Sequence, residues 1–147
     1  DEYGGSFENR IRFLLETVRA VREVWDGRLP LTVRISGTDW VDGGWSVDDS
    51  VGLARRLKTE GVDLIDCSSG GGVAQAKVPA GPGYQVPISE AVRHGADIPT
   101  ATVGLITAPE QADEIELKIK EKIAAGIVAA KPASAAKFAD DDDDLED

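Results

Sequence analysis

Two hydrophobic periods alternate along this chain, and the alternation restricts it to a narrow set of folds. Ile11, Leu14, Leu15, Val18, Val21 and Trp25 recur at three- and four-residue steps, the spacing that gives a helix one apolar face. Ser6 stands ahead of them as a cap, and Gly27 and Pro30 follow as a stop and a restart. Leu31–Ser36 then reads as a short strand. Val47, Val51, Ala54 and Leu57 form a second helical stripe, opened by Ser46 and Asp49 in capping-box spacing and closed by Gly61. Val62–Cys67 is a second strand, Ile88–His94 a short helix, and Pro99–Gly104 a third strand with its core at Thr100–Val103. A last stripe, Ala112, Ile115, Ile119 and Ile123, starts after a Thr107–Glu110 capping pair and runs to Gly126.

Strands alternating with helices imply parallel strands joined by crossovers, an α/β fold of barrel or open-sheet type. Neither GxGxxG nor a Walker pattern supports a nucleotide-binding open sheet, and Gly70-Gly71-Gly72 has the wrong spacing for one. The 147 residues suit one domain but fall short of the ~250 of a complete (β/α)₈ barrel. With no Met present, a processed chain or a piece of a longer one is expected. Lys131–Ala139 is low-complexity Ala, Lys, Pro and Ser and leads into an acidic run, so residues 126–147 read as a disordered tail behind a folded body of residues 1–125.

The net charge of −11 resides mainly in that run: Asp140–Asp147 holds seven acidic residues, and setting them aside leaves −4. No basic stripe exists to meet a phosphate backbone, which argues against nucleic-acid binding. No apolar run approaches the ~20 residues of a membrane span. One cysteine cannot form an internal disulfide, which suits a cytoplasmic setting. One His and one Cys give a metal site of that type almost nothing to build from.

Arg34 is the most informative residue. It alternates with Val33 and Ile35 in a strand expected to be buried on both faces, near the carboxyl end where barrel active sites lie. A guanidinium there needs an anion or strong acceptors: either a ligand or a neighbouring carboxylate such as Asp39 or Asp66. Ser68, in Asp66-Cys67-Ser68-Ser69-Gly70, suits hydrogen bonding to a ligand or ordinary turn chemistry. Val103-Gly104, ahead of a helix, can offer backbone N–H groups to an anion or be a plain turn. Cys67 reads as a buried inert thiol and His94 as a surface residue at a helix end.

In order along the chain, these segments resemble the Old Yellow Enzyme family, in particular its bacterial NADPH dehydrogenase branch. Asp1-Glu2-Tyr3-Gly4-Gly5-Ser6-Phe7-Glu8-Asn9-Arg10-Ile11-Arg12-Phe13 is similar to the signature after the family's fourth barrel strand. Val33-Arg34-Ile35-Ser36 is similar to the fifth strand, and Gly61-Val62-Asp63-Leu64-Ile65-Asp66-Cys67-Ser68-Ser69-Gly70 to the sixth. Pro82-Gly83-Tyr84-Gln85-Val86 matches the loop that follows, and Val103-Gly104-Leu105-Ile106-Thr107 the seventh strand and its turn. The resemblance covers about Asp1–Ile115 and implies strands five to seven of a (β/α)₈ TIM barrel that binds FMN. It further implies reduction of the flavin by NADPH or NADH and hydride delivery to the activated C=C bond of an enone.

On this resemblance Arg34 contacts the pyrimidine edge of the flavin and stabilises its anionic reduced form. Val103 and Gly104 offer backbone donors to the phosphate, and Ser68 and Gln85 belong to the cofactor region. The family's substrate-binding His pair and its proton-donating Tyr would precede Asp1. Gly126-Ile127-Val128-Ala129-Ala130-Lys131 stands where the eighth strand's phosphate-holding Gly-Arg belongs, and Ile88-Ser89-Glu90 replaces an aromatic-Ala-Glu. The chain alone is therefore expected to carry no catalytic residues and to be inactive. The alternative is a non-catalytic half-barrel that associates with itself or a partner through open sheet edges.

Overall fold

The computed structural model describes residues 1–124. The expected boundary at residue 125, the Gly126 stop and the acidic tail lie outside the described residues. The elements are α1 (Phe7–Val24), β1 (Thr32–Ser36), α2 (Val47–Thr59), β2 (Leu64–Ser68), α3 (Val86–Ala96), β3 (Thr100–Thr102) and α4 (Pro109–Ala124). The sheet has the order β1-β2-β3, and both neighbouring pairs are parallel. The chain divides into two compact units, Asp1–Ala112 and Asp113–Asp147. The core, the sheet and the candidate site belong to the first.

Local chemistry sets the helix ends. Ser6 Oγ accepts from Asn9 N–H at 3.3 Å and caps α1. In α2 the capping box closes in both directions: Ser46 Oγ accepts from Asp49 N–H at 3.1 Å, and Asp49 Oδ2 accepts from Ser46 N–H at 3.0 Å. At the other end of α2, Gly61 takes φ 82°, Gly61 N–H donates to Lys58 C=O, and Val62 N–H donates to Leu57 C=O. This is a Schellman turn, which needs a left-handed residue after the cap and turns the chain back toward β2.

Several expected ends move. β2 spans Leu64–Ser68 rather than Val62–Cys67, α3 spans Val86–Ala96 rather than Ile88–His94, and β1 and the core of β3 are each one residue shorter than expected. α1 stops at Val24 and Trp25 is already extended, so Gly27 is not its terminator. α4 begins at Pro109 rather than under a Thr107 cap. Proline suits the first helical position because its fixed φ is helical and no N–H is lost there. Within the second unit, α4 carries the i,i+4 pairs Glu114–Lys118 and Glu116–Lys120. Of its expected apolar stripe, Ala112 is exposed and Ile115 half-buried, while the side chains of Ile119 and Ile123 lie outside the described residues.

Ile11, Leu15 and Val18 bury the face of α1, whereas Trp25 stays exposed. α2 buries Ser50, Leu53, Ala54 and Leu57, a stripe rotated from the expected one, with Val47 and Val51 at its half-buried margin. α3 buries Ile88 and Val92 and packs against α2, β2 and β3. Among the described residues only one face of β1 is buried, and the matching residues of β2 and β3 on the other face are half-buried. Val33, Ile35, Ile65 and Cys67 point into the core, while Thr32, Arg34 and Ser36 are exposed. The expectation that β1 is buried on both faces therefore fails among the described residues: Val33 and Ile35 are buried, while Thr32, Arg34 and Ser36 are exposed. No described helix is long and apolar enough to cross a membrane.

Candidate functional site

The uncovered face carries the polar residues of the strands. Arg34 and Asp66 are register partners across β1 and β2, as are Ser36 and Ser68, and Asp66 pairs in turn with Ala101 of β3. Side chains alternate along a strand, so Arg34, Asp66 and Ala101 form one row and Ser36 and Ser68 the next row toward the carboxyl ends. Arg34 lies two residues before the end of β1. Its Nε stands 3.4 Å from Asp66 Oδ2, with the Arg34 side chain 59% exposed and that of Asp66 27%. Of the two carboxylates open as partners, Asp66 takes the role. Asp39 is used within its own loop, where its Oδ2 accepts from Trp45 N–H at 2.8 Å and its N–H donates to Trp45 C=O at 2.9 Å.

Past the strand ends, three loops converge. Gly37 N–H donates to Ser68 C=O at 2.7 Å, tying the turn after β1 to the last residue of β2. A Cβ on Gly37 would collide with Ile88 Cγ2, so only glycine lets α3 approach there. Ser50, fully buried on α2, donates its hydroxyl to Gly37 C=O at 2.8 Å and accepts from Trp45 Nε1–H at 2.7 Å. Gly83 N–H donates to Gly104 C=O at 2.8 Å, which joins the long β2–α3 loop to the turn after β3. Gly104 takes φ 107°, and a Cβ there would stand 3.1 Å from both Gln85 Cγ and the Tyr84 ring.

Gln85 is buried at the cap position of α3, donates to Tyr84 Oη, and keeps its Oε1 buried with no partner among the described residues. The structure therefore brings Gln85 against Gly104, with Val103 the residue just past β3, and sets Ser68 diagonally from Arg34 on the uncovered face.

The sequence pattern gives no weight to Ser50, Trp40 or Tyr84. Trp40 adopts φ 59°, costly for a bulky residue, and its Nε1 donates to Ser69 Oγ at 3.0 Å while its ring lies 6.4 Å from Tyr84. The available signal was a pair of tryptophans in a Gly- and Asp-rich loop, and both rings pack against the core. Cys67 is fully buried, and desolvation pushes its thiol up to about 11 against a weaker opposing hydrogen bond from Ser89. That matches the inert reading. His94, exposed near the end of α3, lies 3.9 Å from Glu90.

Comparison with known proteins completes the picture. A model of the NADH:flavin oxidoreductase / NADH oxidase family matches residues 1–130. Over 115 residues, 78% of this chain, it is 56% identical to an NADPH dehydrogenase of Bacillus velezensis. It is 58% identical to one of a Geobacillus species and 50% to that of Bacillus subtilis, each over the same 115 residues. The chain spans 33%, about a third, of the length of each of these relatives. Among solved structures it is similar to a 2-naphthoyl-CoA reductase in complex with 2-naphthoyl-CoA, with a TM-score of 0.69 and 22% identity over 86% of this chain and 22% of the other. The fold is that of a partial (β/α)₈ barrel.

Proposed function

Because the chain belongs to the NADH:flavin oxidoreductase / NADH oxidase family, we propose that it forms the fifth-to-seventh-strand part of an FMN site in an NAD(P)H-dependent, Old Yellow Enzyme-type oxidoreductase. One observation carries the reading. Arg34 presents a 59% exposed guanidinium on the uncovered sheet face, and only its Nε is engaged among the described residues. Both Nη groups remain to meet an acceptor with fork geometry, which is how arginine recognises planar oxygen-rich edges.

The residues present fit a flavin in three respects. Arg34 offers donors to carbonyl oxygens of a pyrimidine edge. Gln85 holds a buried amide oxygen with no partner among the described residues. Gly104, free of a Cβ and at positive φ, lets backbone come close beside Gln85 and Tyr84. When bound, FMN supplies hydride transfer from NADPH or NADH to the β-carbon of an α,β-unsaturated carbonyl compound. Arg34 orients the ring and stabilises negative charge on it; the backbone of Val103 and Gly104 holds the phosphate; Ser68 and Gln85 complete the polar lining. The setting is the cytoplasm.

The chain by itself supplies part of each grip. Lacking a phosphate-holding arginine from an eighth strand costs about 1.5–3 kcal/mol, one to two decades of affinity. Weak FMN binding, micromolar or poorer, with little ene-reduction is therefore expected of residues 1–147. A titration of the purified chain with FMN tests this, and Arg34→Ala is expected to weaken binding. Anaerobic NADPH oxidation with and without cyclohexenone measures turnover. Turnover near that of a full-length relative would show the site to be complete.

The second reading, a non-catalytic module that associates through its sheet edges, rests on the uncovered face and on the outer edges of β1 and β3, which have no partner strand among the described residues. It is favoured if FMN does not bind and the chain self-associates in gel filtration.

A further inference from the structure

We infer that Asp66 is a positioning residue for Arg34, one that sets how much positive charge the guanidinium presents to a bound flavin. This rests on the flavin reading above. The two residues are direct register partners on the uncovered face of β1 and β2. Asp66 is flanked by Ile65 and Cys67, both fully buried, so its backbone is anchored in the core and its carboxylate is fixed relative to the sheet. The pair is held through Arg34 Nε and Asp66 Oδ2 at 3.4 Å, longer than a good N–H···O bond. Contact through Nε steadies the root of the guanidinium and leaves both Nη groups for a ligand.

Fold stability is a poor explanation for this carboxylate. Its second oxygen, Oδ1, is buried with no partner among the described residues. An orphaned buried acceptor is destabilising, and Arg34, more than half exposed, needs no counter-charge to remain in place. Strained or unfavourable arrangements that persist at a ligand-facing position are typical of functional sites. What the carboxylate does there is electrostatic: it offsets most of the field of Arg34 at longer range. A lone guanidinium favours the more negative of two ligands, and reduced FMN is more negative than oxidised FMN. The Asp66 carboxylate beside Arg34 holds that preference down.

The consequence has a sign that a structural role does not share. Neutralising Asp66 raises the preference for reduced over oxidised FMN, whereas neutralising Arg34 lowers it. With screened charges several ångströms from the ring, each change is expected to be about three- to tenfold. A tenfold rise in that ratio is about 30 mV upward in the two-electron potential.

The experiment uses residues 1–147 and measures the dissociation constants of oxidised and of anaerobically reduced FMN. The variants are Asp66→Asn, Asp66→Ala, Asp66→Glu and Arg34→Gln, each checked by circular dichroism. Both neutral Asp66 variants should shift the ratio toward reduced FMN, Arg34→Gln should shift it the other way, and Asp66→Glu should stay near the unsubstituted value. An unchanged or lowered ratio in Asp66→Asn and Asp66→Ala, with FMN still bound, overturns the inference and leaves the flavin reading standing. Loss of fold in both neutral variants makes Asp66 a structural residue and overturns it as well. If the unsubstituted chain binds neither form at about 1 mM, in the weakest range of specific binding, the flavin reading itself falls and this inference with it.

Discussion

Replacing Ser50 by alanine should destabilise the body of the protein far more than one hydroxyl suggests. Ser50 Oγ bridges two groups, donating to Gly37 C=O at 2.8 Å and accepting from Trp45 Nε1–H at 2.7 Å, and the residue is fully buried. Each bond contributes about 0.5–1.5 kcal/mol net, and a buried carbonyl left unpaired costs about 1–3 kcal/mol. Gly37 is buried and keeps that cost, whereas half-buried Trp45 recovers part of its hydrogen bonding from water. Taking about 1–3 kcal/mol for the orphaned Gly37 carbonyl and about 0.5–1 kcal/mol for the Trp45 bond, the loss is about 1.5–4 kcal/mol. In urea, with a slope of about 2 kcal/mol per molar for a body of this size, the midpoint should fall by about 1–2 M. Tryptophan fluorescence and far-ultraviolet circular dichroism both follow the transition. Trp45→Phe removes the donor and also part of the ring that stacks on Phe7 and under Arg10, so it should cost about 1–3 kcal/mol, and the double variant should cost less than the sum of the two. A loss below about 0.5 kcal/mol in Ser50→Ala would show that the bridge does not support the turn after β1.

Gly104→Ala should cost about 1–3 kcal/mol from positive φ alone and displace Gln85 and Tyr84, which would stand 3.1 Å from the new Cβ; equilibrium denaturation and tyrosine NMR shifts check both effects. Ser46→Ala opens the capping box of α2 and should lose about 0.5–2 kcal/mol, read as a lower urea midpoint with the native fold retained. For Cys67 the folded thiol is raised to about 11, above its unfolded value. Its contribution is therefore fully present below about pH 9 and lost as pH rises through about 11. The urea midpoint should fall over that window in the unsubstituted chain and less so in Cys67→Ala. An equal fall in both would remove Cys67 as the cause.

The order of elements, the parallel pairing and the caps at Ser6 and Ser46 were legible in the sequence, because each follows from spacing along the chain. A helix face repeats every three to four residues, a strand face every two, and a cap acts within one turn. Arg34 stood out for the same reason, as a guanidinium alternating with Val33 and Ile35, but the two-sided burial that made it look out of place is not what β1 shows: its burial alternates residue by residue. The resemblance to a flavoprotein family was also carried by short ordered motifs, and the family match confirms it.

What the sequence left open were relations between residues distant along the chain. Whether Arg34 pairs with Asp39 or Asp66 depends on strand register and on Asp39 closing its own loop around Trp45. Ser50 looked like one polar residue in an amphipathic helix until packing placed it against Gly37. Whether β1 is covered on one face or two depends on what stands opposite it, which no local period records. Spacing within one segment determines its secondary structure and which side chains share a face. The partner of each face is decided by long-range contacts, whose energies are summed only in the folded chain.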